Sequence, residues 1–366
     1  MRVLTVLVVA SFALGVVTAA DGRGATDNSF TGGYGPVWSP DGTQIAYIGP
    51  YPDELSHPIK PGFDRVLVVN ADGSGALVSI PTAPRCQDPT GRPACQPPLD
   101  EVRWAAGGRF VYDDSNFTLF TSTGHAAKRL ALIGSVGGDA FSLSPDGRTV
   151  AVTAPCGCNV QQGTDVQFVP AAGGVARVLP HPKGTLDNKP SFSPDGTKVV
   201  FSRVFLNMKP TNKKRYVPYG NEFIEVAGVH GGAARSLGVS GYAPVVSPDG
   251  RWVAFDGRAG LEVVAAGGGH PRTLLPLRCC NVVPIFSWSP DSQRLAYVSG
   301  RHAGTVDLSS TTTVFQLRGL EPDSHPPQWS PDGATIAFSA DRNGDGEFSL
   351  GVYLIAADGS KLHRVA

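Results

Sequence analysis

One short phrase returns along this chain and leaves little freedom in what the chain can become. Val37-Trp38-Ser39-Pro40-Asp41-Gly42 precedes the apolar run Ile45-Ala46-Tyr47-Ile48. The phrase recurs at Leu143-Ser144-Pro145-Asp146-Gly147, Phe192-Ser193-Pro194-Asp195-Gly196 and Val246-Ser247-Pro248-Asp249-Gly250. It recurs again at Trp288-Ser289-Pro290-Asp291-Ser292 and Trp329-Ser330-Pro331-Asp332-Gly333, and a worn copy lies at Trp104-Ala105-Ala106-Gly107-Gly108. Pro presets φ for the first turn position, Asp suits the next, and Gly accepts the left-handed conformation that closes a tight hairpin. Each Asp is thereby read as a turn residue and not as a catalytic one.

The anchors Ser39, Ala105, Ser144, Ser193, Ser247, Ser289 and Ser330 lie 39 to 66 residues apart, the spacing of propeller blades. Two further strands with their own turn follow each hairpin, as in 65–69, Ala71-Asp72-Gly73-Ser74 and 76–80. Four strands make a unit that cannot bury both faces alone, so the units must stack on one another. The sequence therefore predicts an all-β fold, a seven-bladed β-propeller of four-stranded antiparallel blades, over residues 34–366. Composition agrees: 45 Gly and 31 Pro supply the turns, and 41 % hydrophobic residues argue against disorder.

Residues 1–20 read as an export signal, with Arg2 ahead of an apolar run from Val3 to Val17 and small residues at Val17-Thr18-Ala19-Ala20. Residues 21–33 read as a linker. The expected location is secreted or cell-envelope, with no membrane span once the signal is removed. In an exported chain the six cysteines, Cys86, Cys95, Cys156, Cys158, Cys279 and Cys280, read as disulfide candidates. Cys86–Cys95 is the favoured pair, and the partners of the other four stay open. A zinc site from those four is the alternative, although neither pair has the usual spacing. With 31 basic and 31 acidic residues, no overall field draws the chain to nucleic acid.

On the strength of the Trp/Phe-Ser-Pro-Asp-Gly turn followed by an Ile-Ala-Phe-like strand, the chain resembles the TolB-type, WD-repeat-like propeller family over residues 30–366. The resemblance implies the propeller fold. TolB itself has six blades and an additional N-terminal domain, for which there is no room between Ala20 and Tyr34, so its envelope partners are not implied. Many relatives of this propeller precede an α/β-hydrolase domain with a G-x-S-x-G elbow; this sequence has no such elbow.

Topology then sorts the loops. Hairpin turns and third-to-fourth-strand turns share one face. The long insertions 49–64, 81–100, 154–164, 203–221, 275–284 and 340–350 share the other, together with all six cysteines. Binding resides in such loops more often than in scaffolding, so the elaborated face is the expected working face. Inner strands start there at Tyr34, Asp100, Glu101, Asp139, Asn188, Lys189, Tyr242 and His325, a ring suited to a small polar ligand, a peptide or a protein. The loop Asp341-Arg342-Asn343-Gly344-Asp345 matches the first half of a calcium loop, with Asp341, Asn343 and Asp345 as oxygen donors, but Val352 stands where the bidentate Glu belongs. Calcium is the one cofactor this suggests. The functional expectation is a non-catalytic, monomeric binding scaffold. The alternative is a channel-mouth, metal-dependent hydrolase or lyase acting on an extracellular polymer or peptide, drawing on loop histidines His57, His181, His302 and His325.

Overall fold

The computed structural model describes residues 33–50, 63–74, 78–80, 99–114, 118–122, 127–132, 141–155, 164–205, 222–276, 285–342 and 350–366. Within them each hairpin phrase builds the same turn. Ser39 Oγ donates to Asp41 Oδ1 at 2.7 Å and accepts from Gln44 N–H at 2.9 Å, while Asp41 Oδ1 accepts from Thr43 N–H at 3.0 Å. The pattern repeats at Ser144, Ser193, Ser247, Ser289 and Ser330. These bonds favour the ionised carboxylate. At Asp195 the Ser193 hydroxyl first, and the Thr197 N–H next, bring the pKa down to about 2. The turn glycine is needed for more than its φ: at Gly147 (φ +65) a Cβ would fall 2.5 Å from the backbone nitrogen of Ala106 in the preceding repeat.

Ser247 is fully buried, and its Oγ both donates to Asp249 at 2.6 Å and accepts from Trp252 N–H at 3.0 Å. Removing the hydroxyl strands two partners. Ser247→Ala is expected to lose about 1–3 kcal/mol of stability, seen as a lower urea midpoint at unchanged slope.

Among the described residues the strands fall into six antiparallel sheets. The first holds β1 (Tyr34–Trp38), β2 (Gln44–Pro50), β3 (Phe63–Asn70) and β4 (Val78–Ile80). The second holds β5 (Leu99–Ala105), β6 (Arg109–Asp114), β7 (Thr118–Ser122) and β8 (Ala127–Leu132). The third holds β9 (Phe141–Leu143), β10 (Thr149–Pro155), β11 (Thr164–Pro170) and β12 (Arg177–Val178). The fourth has seven strands: β13 (Thr185–Phe192), β14 (Lys198–Phe205), β15 (Glu222–Gly228), β16 (Arg235–Val246), β17 (Trp252–Gly257), β18 (Gly260–Ala265) and β19 (Arg272–Pro276). The fifth holds β20 (Ile285–Trp288), β21 (Arg294–Ser299), β22 (His302–Asp307) and β23 (Thr312–Val314). The sixth holds β24 (Glu321–Pro322), β25 (Gln328–Trp329), β26 (Thr335–Asp341), β27 (Leu350–Ala356) and β28 (His363–Arg364). Among the described residues there is no helix, hence none long and apolar enough to cross a membrane.

The seven-stranded sheet was not anticipated. It arises because β16 serves two neighbours, pairing with β15 through Ser236 and Ser240 and with β17 through Gly241 to Val246. The connection that separates neighbouring repeats elsewhere is here a continuous strand.

Apolar clusters sit between successive sheets. Tyr34, Val37 and Ile48 of the first pack with Val102, Phe110 and Tyr112 of the second. Ile45, Tyr47 and Leu67 of the first pack with Ala337, Val352 and Leu354 of the sixth. The hairpin indoles add a directional contact. Trp104 Nε1 donates to Val37 O, Trp288 Nε1 to Val245 O and Trp329 Nε1 to Ser287 O, each reaching the preceding repeat at 3.0–3.3 Å. Trp38 Nε1 makes the same bond at 3.1 Å to Gln328 O of the last repeat.

Candidate active site

One cavity of about 470 Å³ is bordered by Trp38, Arg103, Ser142, Lys189, Ala243, Ser287 and Gln328, each at or just ahead of a different copy of the hairpin phrase. Several of the strands carrying these residues have a bulge, between Tyr34 and Val37, Leu99 and Val102, Asn188 and Ser191, and Tyr242 and Val245. A bulge places an additional residue in the strand and re-aims its side chain. Gly35 (φ 59), Lys189 (φ 53) and Ala243 (φ 47) occupy that left-handed position. For Lys and Ala this conformation is strained, which surrounding contacts must offset. At Lys189 they include a bond from its N–H to Thr153 Oγ1 at 3.0 Å.

The expected ring residues separate into local groups. Tyr34 and His325 stack, with centroids 4.7 Å apart and planes 28° apart, and the Tyr34 hydroxyl donates to Leu99 O. Lys189 is buried beside the cavity, and its Nζ lies 5.9 Å from the Tyr242 ring centre. Glu101 is buried and ion-pairs with Arg103, while its N–H donates to Asp113 Oδ1 at 2.8 Å. Asn188 Oδ1 accepts from the Thr164 hydroxyl at 2.9 Å. Asp139 and the side chain of Asp100 lie outside the described residues, as do Asn343, Asp345, His57 and all six cysteines. Asp341 is buried at the end of β26, paired with Leu350 and Glu321.

Sequence reasoning missed the carboxylate that completes the first group. Asp323 Oδ2 meets His325 Nδ1 at 2.7 Å, and Asp323 Oδ1 accepts from the His325 N–H at 3.0 Å and from Ser339 Oγ at 2.8 Å. The short spacing Asp323-Ser324-His325 was the available signal. A carboxylate on Nδ1 fixes the imidazole tautomer and stabilises its protonated form, leaving Nε2 as the basic nitrogen. Of the other expected loop histidines, His302 instead opens β22 as an exposed strand residue, while His181 lies in the connection ahead of β13, half-buried against Asp165.

A layer of buried charge lies beside β13. Asp187 accepts from Arg203 Nε and Nη2, both at 2.7 Å, and Glu225 Oε2 lies 3.9 Å from Arg203 Nη1. Burial holds the Glu225 carboxyl above its usual range, against the pull of Arg203. Glu222 is raised further, to about 7, by burial and then by the negative charge of Asp256. A raised folded-state value means its ionisation opposes folding: the neutral form predominates below the ordinary value near 4.5, and stability is lost as pH rises toward 7. Glu222→Gln is therefore expected to raise the melting temperature at pH 8 and leave it unchanged at pH 4. A melting curve at each pH checks this.

Among the described residues no three His, Cys, Asp or Glu side chains are arranged to hold a metal ion.

No protein-family model and no curated protein matches this sequence. Solved structures do. An oligogalacturonate lyase in complex with manganese matches at TM-score 0.54 and 18 % identity, over 74 % of this chain and 78 % of its own. Virginiamycin B lyase from Staphylococcus aureus matches at TM-score 0.55 and 13 % identity, over 89 % of this chain and 94 % of its own. A puromycin hydrolase matches at TM-score 0.62 and 18 % identity, over 92 % of this chain and 54 % of its own, so this chain spans about half that protein's length. At such identities the likeness shows the fold: an all-β chain of several antiparallel sheets, like proteins of the propeller type. It also corrects the functional expectation. The non-catalytic scaffold expected from the sequence is contradicted by these three matches, which are named as two lyases and a hydrolase.

Proposed function

We propose that this chain is an enzyme, a lyase or hydrolase acting on an extracellular polymer or peptide at the mouth of the cavity framed by its inner strands. The observation that carries the reading is His325, held through Nδ1 by Asp323, stacked on Tyr34 and set where the last repeat's inner strand begins. In this reading Nε2 is the general base. In a lyase it withdraws the proton adjacent to a carboxyl or carbonyl group; in a hydrolase it takes a proton from the attacking water. Asp323 stabilises the imidazolium that results. Lys189 and Arg103 border the cavity and are, in this reading, the positive charges available to offset the negative charge that either reaction develops. Manganese belongs to the lyase it was found with. The described residues here bring no three His, Cys, Asp or Glu side chains together to hold a metal ion.

We further propose that the seven repeats form seven four-stranded blades closed into a ring, the seven-stranded sheet being two blades that share β16. The bond from Trp38 to Gln328, equivalent to the indole bonds between consecutive repeats, supports this, as does the cluster joining the first and sixth sheets. Export by residues 1–20, action as a monomer outside the cytoplasm and disulfides among the six cysteines complete the proposal.

The test is a turnover screen of the purified protein, with manganese and with chelator as separate arms. Uronate polymers are followed by the ultraviolet absorbance of a newly conjugated double bond, and peptides by released amine. Turnover in either series supports the reading, and its absence from both series in every arm overturns it.

A further inference from the structure

We propose that the outer strands of four consecutive repeats form a basic track that holds an acidic polysaccharide. The track consists of Lys128 and Arg129 of β8, Arg177 of β12, Arg235 of β16 and Arg272 of β19, all exposed. Register places them alike. Arg129 pairs with Phe120, Arg177 with Phe168, Arg235 with Val226 and Arg272 with Val263, each on the third strand of its repeat. The matching strands of the first and fifth sheets offer Val78 and Thr313 instead. A chain with zero formal charge thus gathers these cations on neighbouring repeats.

The track runs on from sheet to sheet. A Cβ on Gly173, in the turn ahead of β12, would fall 2.5 Å from Lys128 Nζ, so the β8 ammonium reaches the third sheet. Arg177 Nη2 donates to Val229 O, just beyond β15. Arg235 Nη1 donates to Gly267 O at 3.1 Å, just beyond β18. Arg177 also lies 4.6 Å from the centre of the Phe168 ring, and Arg272 lies 5.7 Å from that of Trp252. Carbonyls and aromatic faces fix the guanidinium groups without cancelling their charge. A guanidinium carries more N–H donors than these bonds use, and the rest stay available to a ligand. Groups already held lose less freedom when a ligand arrives.

The carboxylates at this end of the same sheets have cations of their own. Asp146, Asp195 and Asp249 sit in the hairpin turns, where Arg148, Lys198 and Arg251 respectively favour their ionised forms. Arg235 also favours ionisation of the buried Glu225, though less than Arg203 does. Among the described residues no track cation makes an ion pair. A positive surplus spread over several repeats suits a chain of repeated negative charges better than a single anion. Nucleic acid would also seek aromatic platforms for its bases. Here Phe168 is buried and Trp252 half-buried, each beneath its arginine. A protein partner would centre on large anchors, and beside the track the large exposed apolar residues are Val175 and Val178. A polysaccharide with acid groups along its length needs neither. The track lies toward the hairpin-turn end of the sheets, away from His325, and does not depend on what that histidine does.

Calorimetric titration of the purified protein with carboxymethyl-dextran over a salt series tests this, with unmodified dextran as the neutral polymer. These acid groups are not uronates, so the measurement is separate from turnover. Each contacting cation contributes roughly −0.7 to the slope of log affinity against log salt, as for single-stranded nucleic acid, so the whole track gives about −3.5. Lys128→Gln with Arg129→Gln is expected to bring the slope to about −2 and to weaken binding about twentyfold at ~0.1 M salt. Arg258→Gln, in the turn at the opposite end of the fourth sheet, should change neither. If the paired variant does not fold, Arg272→Gln decides, with an expected loss of about fivefold under the same conditions. Failure to bind carboxymethyl-dextran at low salt, equal affinity for dextran, or an equal loss in Arg258→Gln overturns the track. Tighter binding of single-stranded DNA or of polyglutamate of matched charge overturns the polysaccharide as its occupant.

Discussion

Arg203→Met is expected to lower stability by about 3–5 kcal/mol, the range for breaking a buried ion pair from one side. Asp187 is fully buried and Arg203 nearly so, and two 2.7 Å bonds join them. Removing the guanidinium strands the Asp187 carboxylate in the interior and takes away the positive charge that Glu225 faces. Most of the loss comes from that stranded carboxylate. The double variant Arg203→Met, Asp187→Leu is accordingly expected to recover a large part of it, since apolar replacements for a buried pair are often neutral. Urea unfolding of the three proteins measures both effects. A single-variant loss below ~1 kcal/mol, the range of exposed pairs, would mean that water reaches this pair.

His325→Gln is expected to reduce turnover by about 10²–10⁴-fold once a substrate is in hand, the usual contribution of a positioned acid–base group. The loss should fall on kcat more than on KM, because the imidazole acts in the transition state. Asp323→Asn should also lower kcat, since the amide can donate to Nδ1 and turn the ring to the wrong tautomer. Tyr34→Phe is expected to retain activity: its hydroxyl is committed to Leu99 O, and the stacked ring remains. The His325 side chain is only about a fifth exposed, stacked on Tyr34 and bonded to Asp323. Its replacement is therefore also expected to lower the melting temperature by a few degrees, far less than the loss of turnover would need if unfolding caused it. A drop in melting temperature matching the lost activity would instead make His325 structural.

The hairpin phrase was legible because turn chemistry is local. Ser, Pro, Asp and Gly each act within five residues, and the structure repeats their bonds from copy to copy. The contact between Tyr34 and His325 was also within reach, since both stand four residues ahead of a hairpin Trp. What escaped depends on distance along the chain. Nothing in the residues near Asp187 announces that Arg203 will meet it, nor that the sixth residue ahead of Trp329 will hold the imidazole. The merging of two repeats through β16 escaped because Arg235 to Val246 reads as two short strands with Gly238 and Gly241 between them. Function was the least legible, because one fold carries many functions and a few side chains decide between them.

The indole of Trp38 and the carbonyl of Gln328 are 290 residues apart in sequence. The first repeat therefore lacks one of its lateral supports until residues 290 positions further along the chain have been made. During synthesis, and during any passage through a membrane in extended form, its exposed flank offers a foothold to chaperones and to other half-finished copies. Pairing at so long a range also slows folding and prolongs the time in which that flank can meet a wrong partner.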